Sequence, residues 1–211
     1  MPSPIFPGTQ RAGVVAVALL VLSAGLALAA PAGAVVGLFG SCFVESGGAR
    51  SAATLGQPVQ VGDTVEVPAG GKLKLRMEDG SVVSVASGSR MTITAYGVNS
   101  AGQREKAKLS LGQGLLRAVV APVGRPASFE VDTAVGSAAV RSTDWFVEAS
   151  ASDMQVGVLE GSVVLASAAT GRSQTIPARW GARLERGRDP VPPRLWDEAE
   201  FADVIARTNV P

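Results

Sequence analysis

A run of polar residues at 141–144 carries the side chains of this sequence whose types point most directly to chemistry. Arg141, Ser142, Thr143 and Asp144 follow one another, and Trp145 comes next. A serine near an acid can form a nucleophile, and an arginine can bind an anionic group. The sequence contains no histidine, so a Ser-His-Asp or Cys-His nucleophile is excluded. We therefore interpret Arg141, Thr143, Asp144 and Trp145 as structural or partner-contacting residues.

The apolar residues that follow this run predict that it enters a β-strand. In such a strand Phe146 would lie on one face of the sheet, with Trp145 and Val147 on the other. We interpret Arg141 as a residue that fastens neighbouring turns, through backbone carbonyl groups or through a pair with Asp144. That pair requires a bend or bulge, because a regular strand places the two side chains on opposite faces.

Catalysis without histidine would depend on carboxylates, lysine or the single tyrosine. The only cysteine is Cys42, so a zinc site built on histidine and cysteine and an internal disulfide are both excluded. Two carboxylates can cleave a glycosidic bond. The candidates for such a pair are Glu45, Glu66, Glu78, Asp79, Glu130, Asp132, Asp144, Glu148 and Glu160. Most of them flank predicted turns or lie on polar strand faces, so we expect a non-enzymatic protein with no cofactor and no metal. A carboxylate-based cell-wall glycan enzyme is the less favoured alternative.

The balance of charge argues against nucleic acid as a partner. The chain of 211 residues has 19 lysines and arginines against 18 acidic residues. A phosphate backbone is held mainly by an excess of basic side chains, and no such excess exists here. The length and the 46% content of hydrophobic residues fit one folded domain with appendages.

The N-terminal end of the chain has the features of an export signal. Arg11 precedes an uncharged apolar run at residues 14–30, and Ala-x-Ala patterns occur at 27–29 and 32–34. We predict a signal peptide over residues 1–34, cleaved near Ala34, and hence a periplasmic or secreted protein. The alternative is an uncleaved membrane anchor, because about 20 apolar residues suffice to span a bilayer.

Short apolar runs separated by glycine-bearing turns predict an all-β domain between residues 35 and 187. The phrase MEDGSVVSV at 77–85 resembles VLEGSVVLA at 158–166. This weak repeat indicates either stacked β units or the same turn chemistry used twice.

The clearest local pattern predicts a hairpin. Leu73 and Leu75 alternate with charged residues, as in a half-buried strand. A three-residue loop at 78–80 would pair Leu75 with Val83 and Leu73 with Val85, which keeps the apolar side chains on one face. The glycine of that loop would then adopt a left-handed conformation. The alternative is that the two runs are successive rungs of a solenoid, with this glycine at a corner.

A proline-rich tether at 188–194 and an α-helix at 195–208 are predicted at the C-terminal end. The apolar residues that would share one face of this helix are Leu195, Ala199, Ala202 and Ile205. We favour packing of the helix on the β domain through Trp196 or Phe201 over a helix that docks on a partner.

Five phrases occur in a characteristic order along the chain. They are VGDTVEVPAGGKLKLRMEDGSVVSVASGSRMTI at 61–93, LSLGQGLLRAVV at 109–120, FEVDT at 129–133, AAVRSTDWFVE at 138–148 and VGVLEGSVVLAS at 156–167. Together they resemble the FecR-type periplasmic domain over residues 59–185. The family pattern has glycine where this chain has Ser142, and serine adopts the bend that glycine would permit after Arg141 less readily.

The resemblance implies an all-β domain of solenoid-like or rolled-sheet form, here with a short C-terminal α-helix. The predicted divisions are a signal peptide at 1–34, an N-terminal strand or linker at 35–58, the FecR-type β domain at 59–187, the tether at 188–194 and the helix at 195–208. In iron-uptake signalling such domains relay a signal from an outer-membrane receptor to a sigma factor. Only 13 residues precede the apolar run in this sequence, so we do not expect a cytoplasmic anti-sigma segment.

The function expected from these observations is that of an exported, non-catalytic binding, scaffolding or signalling module. Its partner would be another envelope protein or a glycan, and exposed strand edges offer one way to bind it. A membrane-anchored component of an envelope signalling system is the alternative, and it requires an uncleaved N-terminal segment.

Overall fold

The computed structural model describes residues 31–123 and 127–210, so most of the predicted signal peptide lies outside it. The described residues form 17 strands and one α-helix, which confirms the predicted all-β class with a short C-terminal helix. The strands are β1 (Gly33–Phe39), β2 (Phe43–Ser46), β3 (Ala49–Ala52), β4 (Pro58–Val59), β5 (Thr64–Val67), β6 (Lys72–Met77), β7 (Val82–Val85), β8 (Ser89–Val98), β9 (Arg104–Val119), β10 (Phe129–Asp132), β11 (Gly136–Val140), β12 (Asp144–Ala149), β13 (Asp153–Glu160), β14 (Ser162–Ser167), β15 (Ser173–Pro177), β16 (Trp180–Glu185) and β17 (Arg194–Leu195). The helix α1 spans Glu198–Thr208. Within the described ranges, no helix has the length and apolar character needed to cross a membrane.

Two layers of sheet share the long strand β9. The helix-side sheet has the order β4-β1-β6-β7-β9-β12-β13-β16-β17. The open-face sheet has the order β3-β2-β5-β8-β9-β10-β11-β14-β15. Neighbouring strands are antiparallel, except that β9 and β10 run parallel. The outermost strands of the described chain are not paired with one another, so the rolled sheet is open.

The main hydrophobic core lies between the two sheets. Leu73 and Leu75 of the helix-side sheet and Met91, Ile93 and Leu109 of the open-face sheet belong to one buried cluster. Each comes from a strand in which buried and more exposed residues alternate, as expected where one face of a strand meets a core. The two sheets therefore stabilise each other by burying apolar surface.

The predicted hairpin is confirmed. Strands β6 and β7 pair Leu73 with Val85 and Leu75 with Val83, in the register expected from a three-residue loop. Gly80, the last residue of the loop, has φ +84°. A side chain is strained in that left-handed conformation, so glycine favours the loop that keeps the apolar residues together.

Strand β9 changes from one sheet to the other near Gly114. Residues 104–113 pair with β8, and residues 114–119 pair with β12. Gly114 has φ +95°, and a Cβ atom there would lie 2.2 Å from the Ser89 Oγ. That hydroxyl accepts the Leu115 N–H at 3.0 Å. The crossing thus needs both a residue without a side chain and a serine that satisfies a backbone group at the bend.

The C-terminal helix begins at Glu198, three residues later than predicted. Asp197 caps its N-terminus and forms a capping box with Glu200. The helix buries Phe201 and Val204, so the predicted stripe is wrong: Ile205 is partly exposed, and the exposed residue Leu195 belongs to β17. The stripe was out of phase because the chain upstream of the cap is extended rather than helical.

The helix packs on the outer face of the helix-side sheet, as predicted for Trp196 and Phe201. Trp196 contacts Phe146 of β12 with ring centroids 5.1 Å apart, and Phe201 lies 5.5 Å from Trp196. The Lys72 ammonium donates a hydrogen bond to the Ala206 carbonyl at 2.7 Å, near the C-terminal end of the helix. A cation there satisfies a carbonyl that has no partner within the helix.

We expect Gly114→Ala to destabilise the protein by at least about 2 kcal/mol, because the left-handed conformation disfavours a side chain and the new Cβ meets Ser89. Urea unfolding measures the loss. The matched control is Gly97→Ala, where a Cβ atom meets nothing within 4 Å, so its effect stays within about 1 kcal/mol. Equal effects of the two substitutions would contradict the proposed crossing constraint.

Candidate functional site

The connection between β11 and β12 carries the predicted site residues. Strand β11 ends at Val140 and β12 begins at Asp144, so residues 141–143 form the turn between them. In β12, Trp145 belongs to the main core between the sheets, whereas Phe146 faces the helix. The predicted alternation is confirmed, and the apolar run is continuous because this strand is covered on both faces.

Asp144 pairs with Arg117 of the neighbouring strand β9, not with Arg141. The Arg117 Nε and Nη2 atoms donate to the two carboxylate oxygens at 2.9 and 2.7 Å. The hydrogen bonds to this carboxylate raise the pKa of Arg117. This two-pronged geometry is the strongest arrangement for an arginine and a carboxylate, and it engages both oxygens of Asp144.

Thr143 attaches the turn to the connection between β13 and β14. Its side chain is buried, and its hydroxyl donates to the Ser162 carbonyl at 3.2 Å. Gly161 lies so close that a Cβ atom there would be 2.8 Å from the Ser142 carbonyl oxygen. The two connections therefore pack against each other with almost no space between their backbones.

The largest buried polar group is an arginine that lies beneath this turn. The side chains of Arg104 and Asp79 are fully buried and form an ion pair. Arg104 Nη1 also contacts the Ser81 hydroxyl at 3.2 Å, and the Ser81 hydroxyl donates to Asp79 Oδ2 at 2.8 Å. The Tyr96 hydroxyl donates to Asp79 Oδ1 at 2.9 Å and accepts the Asp79 backbone N–H at 2.8 Å. The carboxylate is thus saturated with donors, as a buried charge requires.

The same guanidinium reaches across to the predicted site. Arg104 Nη2 donates to the Arg141 carbonyl at 2.8 Å and lies 3.4 Å from the Ala121 carbonyl. The Ala121 N–H in turn donates to the Ser81 hydroxyl at 3.0 Å. The fastening expected of Arg141 therefore involves its carbonyl oxygen, while the guanidinium that performs the fastening belongs to Arg104.

Arg104 is the residue that sequence reasoning missed. It lies in the charged segment at 102–109, which resembles a solvated loop entering a strand. Nothing nearby in the sequence distinguishes it from Lys106 or Lys108. The sequence did carry a signal at the residues that bind Arg104. The loop glycine at position 80 is preceded by an aspartate and followed by a serine, and together these two side chains form an acceptor site.

The carboxylates considered for glycoside cleavage are mostly committed to basic side chains. Those found in ion pairs are Glu45, Glu66, Asp79, Glu130, Asp132, Asp144 and Glu148. A general acid needs a raised pKa, but the hydrogen bond from Arg50 lowers the pKa of Glu66. These contacts favour structural roles for the acids.

An open cleft of about 390 Å³ lies at the turn that carries Arg141. It is lined by the exposed residues Arg141, Ser128, Ser142, Ser162 and Val164, together with buried residues of β11 and the turn. The guanidinium and the hydroxyl groups can donate hydrogen bonds, and the exposed valine offers an apolar contact. The arrangement can therefore bind a carboxylate or another group rich in acceptors.

Comparison with known proteins finds a family match within the β domain. Residues 63–164 match the family model described as "FecR protein". No curated protein sequence matches the chain. Two crystal structures of a protein described as a "putative anti-sigma factor", from Parabacteroides distasonis, share the fold with a TM-score of 0.55 and 16% sequence identity. Each match covers 66% of this chain and 62% of the other, so this chain spans less than two thirds of that protein's length.

We expect Arg104→Met and Asp79→Asn each to cost about 3–5 kcal/mol in the free energy of unfolding, because each leaves a buried partner uncompensated. The double variant should cost clearly less than the sum of the two. Urea unfolding of all four proteins gives the coupling energy. The control is Arg50→Met, which breaks an exposed pair with Glu66 and should cost at most about 1 kcal/mol. Additive single effects would contradict a coupled buried pair.

Tyr96 is the only tyrosine, so its titration can be followed by absorbance. Burial is the main cause that raises the pKa of its phenol above the ordinary value. Its contribution to stability is complete below the unfolded pKa of about 10 and is lost as pH rises above it. We expect less tyrosinate absorbance at 295 nm in the native protein at pH 11 than in the denatured protein, whose midpoint should lie near pH 10. A native midpoint near 10 would contradict the burial of the Tyr96 phenol.

Proposed function

Since residues 63–164 form a FecR-family domain, we propose that this protein is an exported, non-catalytic module that binds another envelope protein in a signalling or regulatory role. The observation that carries the proposal is the cleft at Arg141. It presents one guanidinium and several hydroxyl groups on a rigid part of the fold.

The rigidity comes from the contacts beneath the cleft. The Arg141 carbonyl is held by the buried Arg104, and Thr143 holds the neighbouring connection through Ser162. The Arg141 side chain, in contrast, is exposed. The backbone of Arg141 is therefore held in place while its cationic side chain is free to contact a partner. Such preorganisation lowers the entropic cost of binding.

The chemistry of the cleft favours a partner that presents a carboxylate on an extended segment. A planar guanidinium binds a carboxylate through two parallel hydrogen bonds, and serine hydroxyls can satisfy nearby backbone carbonyl groups. Val164 is 43% exposed at the edge of this surface, where it can pack against an apolar side chain of the same segment. A protein segment supplies a carboxylate, backbone carbonyl groups and an apolar side chain, whereas a glycan supplies few apolar groups.

The location of the protein in the periplasm is part of the proposal and rests on the N-terminal sequence. The apolar run at 14–30 with its Ala-x-Ala patterns supports export. A regulatory role fits the family and the description of the two structural neighbours as an anti-sigma factor.

We expect Arg141→Ala to reduce the capture of the partner from an envelope extract at least tenfold while leaving the melting temperature unchanged, because the carbonyl that Arg104 binds is retained. Mild crosslinking followed by quantitative mass spectrometry measures the capture. Arg141→Lys should retain less than half of it, since an ammonium cannot form the two parallel bonds.

The matched control is Arg172→Ala, which removes an exposed arginine that does not line the cleft. Its capture should equal that of the unchanged protein. Equal capture by the Arg141 and Arg172 variants would exclude the cleft as the contact. If purified cell-wall glycan is retained by the unchanged protein and lost by Arg141→Ala, the partner is a glycan and the protein-binding proposal fails.

A further inference from the structure

The two candidate cleavage patterns differ in what they would leave of strand β1. The second pattern, at residues 32–34, overlaps the described fold, because β1 begins at Gly33. The first pattern, at residues 27–29, lies entirely upstream of it. The fold can therefore discriminate between the predicted cleavage near Ala34 and cleavage at the first pattern.

Residues 32–34 are an integral part of the domain. Ala32 is 1% exposed, its N–H donates to the Val59 carbonyl at 2.7 Å, and its carbonyl accepts the Glu78 N–H at 3.0 Å. Gly33 pairs with Val59 on one side and Met77 on the other. Cleavage after Ala34 would remove these contacts and leave the backbone groups of β4 and β6 without their partners at this end of the sheet.

Cleavage after Ala34 would also place a charge inside the core. The new N-terminus would be the ammonium group of Val35, a residue with 0% exposure whose N–H donates to the Gln57 carbonyl at 2.9 Å. An ammonium group at a buried position with only a carbonyl as partner carries a large desolvation cost. Cleavage after Ala29 leaves the Val35 nitrogen as an amide in its hydrogen bond to Gln57, and Pro31, the first described residue, is exposed.

We propose that a signal peptidase hydrolyses the bond between Ala29 and Ala30, so that the exported protein begins at Ala30 and keeps β1 whole. One water molecule is consumed, and the products are a carboxylate at Ala29 and an ammonium group at Ala30. This inference rests on the proposed export, but not on the cleft at Arg141. Its failure would leave the binding result of the Arg141 variants unaffected.

The test is the intact mass and N-terminal sequence of the full chain expressed in a Gram-negative bacterium and recovered from the whole cell. We expect a single species that begins at Ala30. A species that begins at Gly33 or Val35 would overturn the proposal. An uncleaved chain would overturn it as well, and would favour the membrane-anchored alternative.

Two variants make the assignment specific. Ala29→Gln places a large polar residue at the proposed site and should abolish the species that begins at Ala30, at least tenfold by mass spectrometry. Ala34→Gln changes the second pattern in the same way, at a half-buried position, and should leave the N-terminus at Ala30. If Ala34→Gln blocks or moves the cleavage while Ala29→Gln does not, the second pattern is the site and the inference fails.

Discussion

The buried ion pair between Arg104 and Asp79 is the interaction on which the rest of the structure depends. It joins the loop between β6 and β7 to the start of β9, and through the Arg141 carbonyl it holds the turn that leads into β12. Burying two charges costs free energy, so this arrangement persists only because every oxygen of the carboxylate has a donor. The pair therefore connects the two halves of the chain through contacts that neither half can form alone.

The surface proposed to bind a partner follows from this buried pair. Arg104 occupies the position beneath the turn, so the side chain of Arg141 is directed to solvent while its carbonyl is held. On the opposite side of the molecule, α1 covers the outer face of the helix-side sheet with Trp196 and Phe201. The outer face of the open-face sheet carries no such helix among the described residues, and the cleft lies at its border.

Local patterns predicted well those features whose causes are local. The register of the β6–β7 hairpin follows from alternation and one glycine, and the faces of Trp145 and Phe146 follow from the period of a strand. The helix stripe was mispredicted because it included Leu195, which lies upstream of the cap at Asp197 and outside the helix. Arg104 was missed because its partner is 25 residues away in the sequence and contact between them exists only in the folded chain.

Two similar segments of the sequence show which features the sequence determined and which the tertiary structure decided. In MEDGS and VLEGS the glycines, Gly80 and Gly161, both adopt left-handed conformations, with φ +84° and +88°. Absence of a side chain makes that conformation accessible, so the sequence alone determined a sharp turn at both positions. Yet Gly80 joins two paired strands of one sheet, whereas Gly161 joins β13 of the helix-side sheet to β14 of the open-face sheet. Only the tertiary structure decided between a hairpin and a corner, because the choice depends on which distant strand is available to pair. Strand β14 pairs with β11, and β13 pairs with β12.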